Sequence, residues 1–126
     1  MSRKSVVVLG GGPDAEHKVS LDSSAAVAEA LARSDRYAVE LQVFDALTPE
    51  ALADMEGDVV FPVLHGPWGE GGPLQRMLEA DGRPFVGCGP HAARWAMDKL
   101  QPKQLALSLG IASAPAVIFH THDVAP

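Results

Sequence analysis

Apolar positions along this chain come in short bursts, and the spacing within each burst predicts a different element. The run from Ser5 to Leu9 is continuous, as expected of a strand buried on both faces. From Leu21 to Ala32 small and apolar residues recur at helical spacing, with Ser20 available as the N-cap. Between Tyr37 and Phe44, Val39, Leu41 and Val43 alternate with Glu40 and Gln42, which predicts a strand with one wetter face. Thr48 as cap and Pro49 at the first helical position open a short helix to Met55. A second apolar run, Asp58 to Leu64, predicts a strand in which Pro62 belongs at the end or at an edge. After the loop HGPWGEGG, the spacing of Leu74, Met77 and Leu78 predicts a helix over Pro73–Glu79, stopped by Gly82. Pro84 to Val86 reads as a short strand leading into GCG. Pro90 starts a helix through Trp95 and Met97, and Pro102 imposes a break or a fresh start. Gly110 ends that second piece, and Ala116 to Phe119 forms a last apolar segment.

Strands alternating with helices predict a single α/β domain over residues 1–126, a Rossmann-like three-layer build with a mostly parallel sheet. Three of the strand ends feed glycine-rich loops, Gly10–Gly12, Gly66–Gly72 and Gly87–Gly89. Open α/β sheets bind ligands outside the carboxyl ends of their strands, so three such loops on one edge would form one concave site.

Composition narrows the class. A chain of 126 residues that is 47% hydrophobic fits one domain with a real core and excludes a disordered chain. No apolar run approaches the roughly 20 residues of a membrane span. Val6–Leu9, behind Arg3 and Lys4, is too short for a signal-peptide core. Cys88 is the only cysteine, which excludes an internal disulfide. A cytoplasmic protein without a membrane partner is the expectation. A net charge of −6 argues against general nucleic-acid binding. A local basic pair can still hold a small phosphate, because a cleft focuses its own field.

Several residues then stand out as chemistry. Gly10-Gly11-Gly12-Pro13-Asp14-Ala15 has the letters of a dinucleotide turn, with Asp45 after the second strand. Pro13 and the charged Glu16-His17-Lys18 push the expected helix start towards Ser20, away from where a pyrophosphate would need it. Glu16 can hold an ammonium group in a glycine-lined loop, or serve as a solvated or helix-capping acid. His65, where a strand opens into the presumed cleft, can donate to a carboxylate or shuttle a proton, or simply cap the strand end. Lys99 and Lys103 share a helical face and can grip phosphate oxygens, or both lie solvated. The histidines show no metal spacing; His120 and His122 read as a polar tail able at most to chelate adventitiously. Trp68 and Trp95 read as packing residues, and Cys88 as a small buried filler.

Taken together, three stretches resemble one family. VVVLGGGPDAEHKVSLDSS, VVFPVLHGPWGEGGPLQRMLEADGRPFVGCG and AMDKLQPKQLALSLGIASAPAVIF are similar to the N-terminal region of D-alanine–D-alanine ligases of the ATP-grasp superfamily. The similarity runs from about Val6 to Phe119, with A-E-H-x-V-S-L, H-G-x-x-G-E and A-M-D-K in order. It implies a pre-ATP-grasp domain that binds D-alanine, in an enzyme using ATP and magnesium to join two D-alanines through an acyl phosphate. By that resemblance Glu16 orients the ammonium of the first D-alanine, and Val19 and Ser20 shape its pocket. His65 and Gly66 lie near its carboxylate, and Lys99 reaches the ATP phosphates. Where the family has G-E-D-G-T, this chain has Gly69-Glu70-Gly71-Gly72-Pro73, and Ser24 stands where the family has glycine. The ATP-grasp domains and their metal ligands are not in this sequence. The expectation is therefore a truncated substrate lobe, inactive alone, partnered by ATP-grasp domains and able to form homodimers. The alternative is a non-catalytic module that binds an amino acid or a partner.

Overall fold

The computed structural model describes residues 3–120. Strand β1 (Lys4–Gly11) lies between β2 (Tyr37–Phe44) and β3 (Val59–Pro62), all parallel, in the order β2-β1-β3. Its register pairs Lys4 with Tyr37 through Gly11 with Phe44 on one side, and Val6 with Val59 through Leu9 with Pro62 on the other. The helices are α1 (His17–Arg33), α2 (Pro49–Asp54), α3 (Gly66–Glu70), α4 (Pro73–Asp81), α5 (Pro90–Met97) and α6 (Leu100–Ser108).

The layers follow from the two-residue period of β1. Val7 and Leu9 point to one face and join Val60, Leu52 of α2, and Leu74 and Leu78 of α4 in the main core. Val6, Val8 and Gly10 belong to the opposite face, against which α1 packs. That packing is close: a Cβ on Gly10 would fall 2.2 Å from the Ser24 hydroxyl oxygen. Ser20 and Ser24 are the only fully buried side chains of α1, so a small-residue seam sets its distance from the sheet.

Several elements match their sequence signals. Thr48 accepts a hydrogen bond from the Ala51 amide with Pro49 inside the helix start, Pro62 ends β3, and Gly82 closes α4 in the left-handed conformation. Others do not. α1 begins at His17 rather than after Ser20, because the Pro13–Asp14 turn already closes a bond from the His17 amide to the Asp14 carbonyl. Ser20 is thereby one turn inside the helix and caps nothing. HGPWGEGG is not all loop: it contains α3. Around Pro84–Val86 there is a single parallel bridge, Val60 with Phe85, and residues 111–120 form no strand. The α5–α6 break falls at Asp98, whose ψ of 99° leaves the helical region, while Pro102 sits in the first turn of α6 where its missing N–H costs nothing.

Trp68 packs edge-on against Phe44 at the core boundary. Trp95 does not pack away: it is 41% exposed on α5 beside His91. Cys88 is exposed rather than buried, because the single bridge at Phe85 leaves the GCG turn outside the sheet.

Candidate functional site

Because the three strands are parallel, the loops after β1 and β3 emerge on the same edge, and the contacts between them are direct. Asp14, in the turn before α1, accepts hydrogen bonds at one carboxylate oxygen from the amides of Trp68 (2.9 Å) and Gly69 (3.0 Å). These are free amides of the first turn of α3, where a carboxylate is also favoured by the helix dipole. Gly66 makes the approach possible. Its φ is +84°, and a Cβ there would lie 2.6 Å from the Asp14 Cβ. Any side chain would therefore be strained twice, by its backbone conformation and by collision.

Ser20 ties the same loops from beneath. Its buried hydroxyl accepts from the Gly11 amide at 2.9 Å and donates to the Val63 carbonyl. His17 closes the other flank: Nδ1 lies 2.7 Å from the Gly12 carbonyl, so it carries the proton, and Nε2 lies 3.7 Å from the exposed Asp45 carboxylate.

His65 sits at the N-cap of α3, between two side chains. Its Nε2 lies 3.0 Å from the Ser23 hydroxyl on α1, and its Nδ1 lies 3.6 Å from Glu70 Oε1. The Ser23 hydroxyl donates to the Val19 carbonyl at 2.8 Å, so it accepts from Nε2–H. That leaves Nδ1 turned to Glu70, whose other oxygen is anchored by the Gly66 amide at 3.0 Å. At 3.6 Å the Glu70 oxygen is not a hydrogen-bond partner; with the proton on Nε2, Nδ1 of the neutral ring bears a lone pair, and it donates to a carboxylate only in the imidazolium form.

The expected site residues thus fall into groups. Val19, Ser20, His65 and Gly66 meet at one edge, Val19 with 55% of its surface exposed. Glu16 forms the backbone N-cap of α1 at the same edge, but its side chain is exposed and has no hydrogen bond or ion pair among the described residues. No hydrogen bond or ion pair joins Glu16 to His65. Lys99 is exposed at the N-cap of α6, at the far end of the chain of helices. Lys103 does not pair with it: its ammonium donates to the Ser113 hydroxyl and the Ala114 carbonyl, so the two-lysine grip is replaced by a tether for the segment after α6. The pairing of His120 with His122 lies partly outside the described residues. Among those residues no group of three or more His, Cys, Asp or Glu is placed to hold a metal.

Sequence reading missed Asp14, Ser23 and Glu70. Glu70 carried a signal, since it follows His65 by five residues across what proves to be a helical turn. Asp14 and Ser23 carried none, because their partners lie 54 and 42 residues away.

A family model described as the D-ala D-ala ligase N-terminus matches residues 44–88. A D-alanine–D-alanine ligase of Sinorhizobium fredii is 43% identical over 123 residues, covering 98% of this chain and 40% of that protein. Nearly the whole chain is thus similar to the N-terminal region of D-alanine–D-alanine ligases. The solved D-alanine–D-alanine ligase of Aeromonas hydrophila shares the fold with a TM-score of 0.81 and 26% identity, over 98% of this chain and 53% of that one. The VanG D-Ala:D-Ser ligase of Enterococcus faecalis aligns with a TM-score of 0.76 at 26% identity, over 97% of this chain and 46% of that one. The chain spans about two fifths of the length of the curated ligases it matches, 40% in one and 38% in another.

Proposed function

We propose that this chain is the substrate lobe of a D-alanine–D-alanine ligase, holding the first D-alanine at the carboxyl edge of its sheet. The observation that carries the reading is His65, fixed between Ser23 and Glu70 with Nδ1 turned to an anion. It is supported by 43% identity to a ligase over nearly the whole chain. In this reading the D-alanine carboxylate lies at His65 and Gly66, received by the imidazolium form of His65, and the unpaired Glu16 carboxylate orients its ammonium. Val19 covers the methyl group, while Ser20 holds the two loops at fixed separation. Glu70 and Ser23 are positioning residues for the His65 ring.

ATP and magnesium belong to the complete enzyme. The described residues do not fit a magnesium site, and Lys99 alone offers a nucleotide phosphate a single cation. The remaining chemistry comes from ATP-grasp domains in the same or a partner chain. Whether the second substrate is D-alanine, D-lactate or D-serine is decided in that complement. A cytoplasmic location follows from the reaction; among the described residues no helix is long and apolar enough to cross a membrane.

The test joins this chain in frame to the C-terminal part of the Sinorhizobium fredii ligase and measures D-alanine-dependent phosphate release. The fusion is expected to turn over, this chain alone is not, and Glu16→Gln in the fusion should lose about a hundredfold. Turnover by the 126-residue chain alone, or an unaffected Glu16→Gln fusion, overturns the proposal.

A further inference from the structure

A concavity of about 360 Å³ opens among α3, α4 and α5, lined by Pro67, Pro73, Arg76, Arg94 and Asp98 among others. Its two arginines come from different helices and flank Gly72. A Cβ at Gly72 would lie 3.2 Å from the Pro90 carbonyl oxygen, 3.4 Å from Arg76 Nη1 and 3.6 Å from Arg94 Cβ, so the absent side chain leaves room beside both arginines.

Neither guanidinium has a partner among the described residues. Arg3, Arg33 and Arg83, by contrast, each pair with a carboxylate, Asp35, Glu29 and Asp81, while the remaining arginine, Arg36, also has no side-chain partner. In a chain of net charge −6, with acids in excess, two arginines without an acidic partner line one hollow. The acid that shares the hollow, Asp98, already accepts from the Leu100 amide at 3.2 Å and does not reach either arginine within ion-pair distance. The balance inside the cleft is therefore positive, although the molecule as a whole is negative, and a concave wall focuses that local field.

We propose that Arg76 and Arg94 form a binding site for a phosphate group, carried either as inorganic phosphate or as a small phosphomonoester. A planar guanidinium fork on each side matches the oxygens of a tetrahedral dianion, which accepts two charge-assisted pairs at once. The inference rests on no part of the ligase reading, since neither arginine touches the His65 edge.

Phosphorus-31 NMR of inorganic phosphate, titrated with the chain at ionic strength matched by chloride, tests it directly. Line broadening is expected with the unaltered chain. Arg76→Gln and Arg94→Gln should each weaken binding about tenfold. Arg33→Gln, a surface arginine already paired on α1, should leave it unchanged. Phenyl phosphate binding more tightly than phosphate would assign the site to a phosphomonoester, and equal binding would assign it to the free ion. Both guanidiniums are on exposed residues, so circular dichroism should show all three variants folded. No broadening with the unaltered chain, or equal broadening with all variants, overturns the proposal.

Discussion

Replacing Asp14 with alanine removes the one side chain that holds α3 against the β1–α1 turn. Two amides, of Trp68 and Gly69, lose a charged acceptor at 2.9 and 3.0 Å. Hydrogen bonds to charged groups contribute about 1.5–3 kcal/mol each when the partner amide is left dry. Asp14 is only half-buried, so water will re-solvate part of the opened turn, and the lower end of that range is the better figure. The expected loss is about 2–3 kcal/mol for the pair. Asp14→Asn keeps one oxygen in place as a neutral acceptor and should lose about 1 kcal/mol. Urea unfolding followed by far-ultraviolet circular dichroism measures both, with the slope m expected unchanged. Because α3 carries His65 at its N-cap, the alanine variant should also broaden the His65 ring resonances in proton NMR. A loss below about 0.5 kcal/mol, or equal losses for Asn and Ala, would refute the claim that these amides depend on Asp14 as acceptor.

Three further outcomes follow from neighbouring contacts. Ser20→Ala should cost about 2–3 kcal/mol in the same urea assay, since it strips a buried partner from both the Gly11 amide and the Val63 carbonyl. Gly66→Ala should cost at least about 2 kcal/mol, combining left-handed strain with collision against Asp14. Arg83 binds Asp81 through two nitrogens and also donates to the carbonyls of Leu52 and Met55 at the end of α2. That side-chain pairing holds the Asp81 carboxyl below its ordinary 3.8. A depressed folded value means the stabilisation is complete above the unfolded pKa and is lost as pH falls through the folded one. Thermal melts from pH 6 to pH 2 should therefore show an acid-limb loss that Asp81→Asn flattens. An unchanged acid limb in that variant would contradict the assignment.

Much of the frame was legible because it depends on local order. Val6–Leu9 specified a central strand, and Thr48-Pro49 and Gly82 marked helix ends through chemistry confined to a few residues. The early start of α1 was misread because Ser20 looked like a cap, whereas its hydroxyl serves a tertiary bridge to Val63. α3 escaped notice because two glycines and a proline in five residues hide a helix that is held from outside, by Asp14. Cys88 and Trp95 were assigned to the interior on residue type alone, and the sheet simply does not extend far enough to cover them. Of the edge, His65 was visible as a histidine at a strand end. Its two supports were not, since a serine on α1 meets it only after the sheet has formed.

The ties across this edge, Asp14 to Gly69, Ser20 to Val63 and Ser23 to His65, each close a stretch of more than forty residues. Closures of that span give their energy back only once β1 and β3 are already aligned, so these bonds are made late in folding and released early in any partial opening. Amide exchange at Trp68 and Gly69 would then outpace that of Val7 and Val8 at the sheet centre. An intermediate could hold a finished sheet and still lack any grip on a ligand.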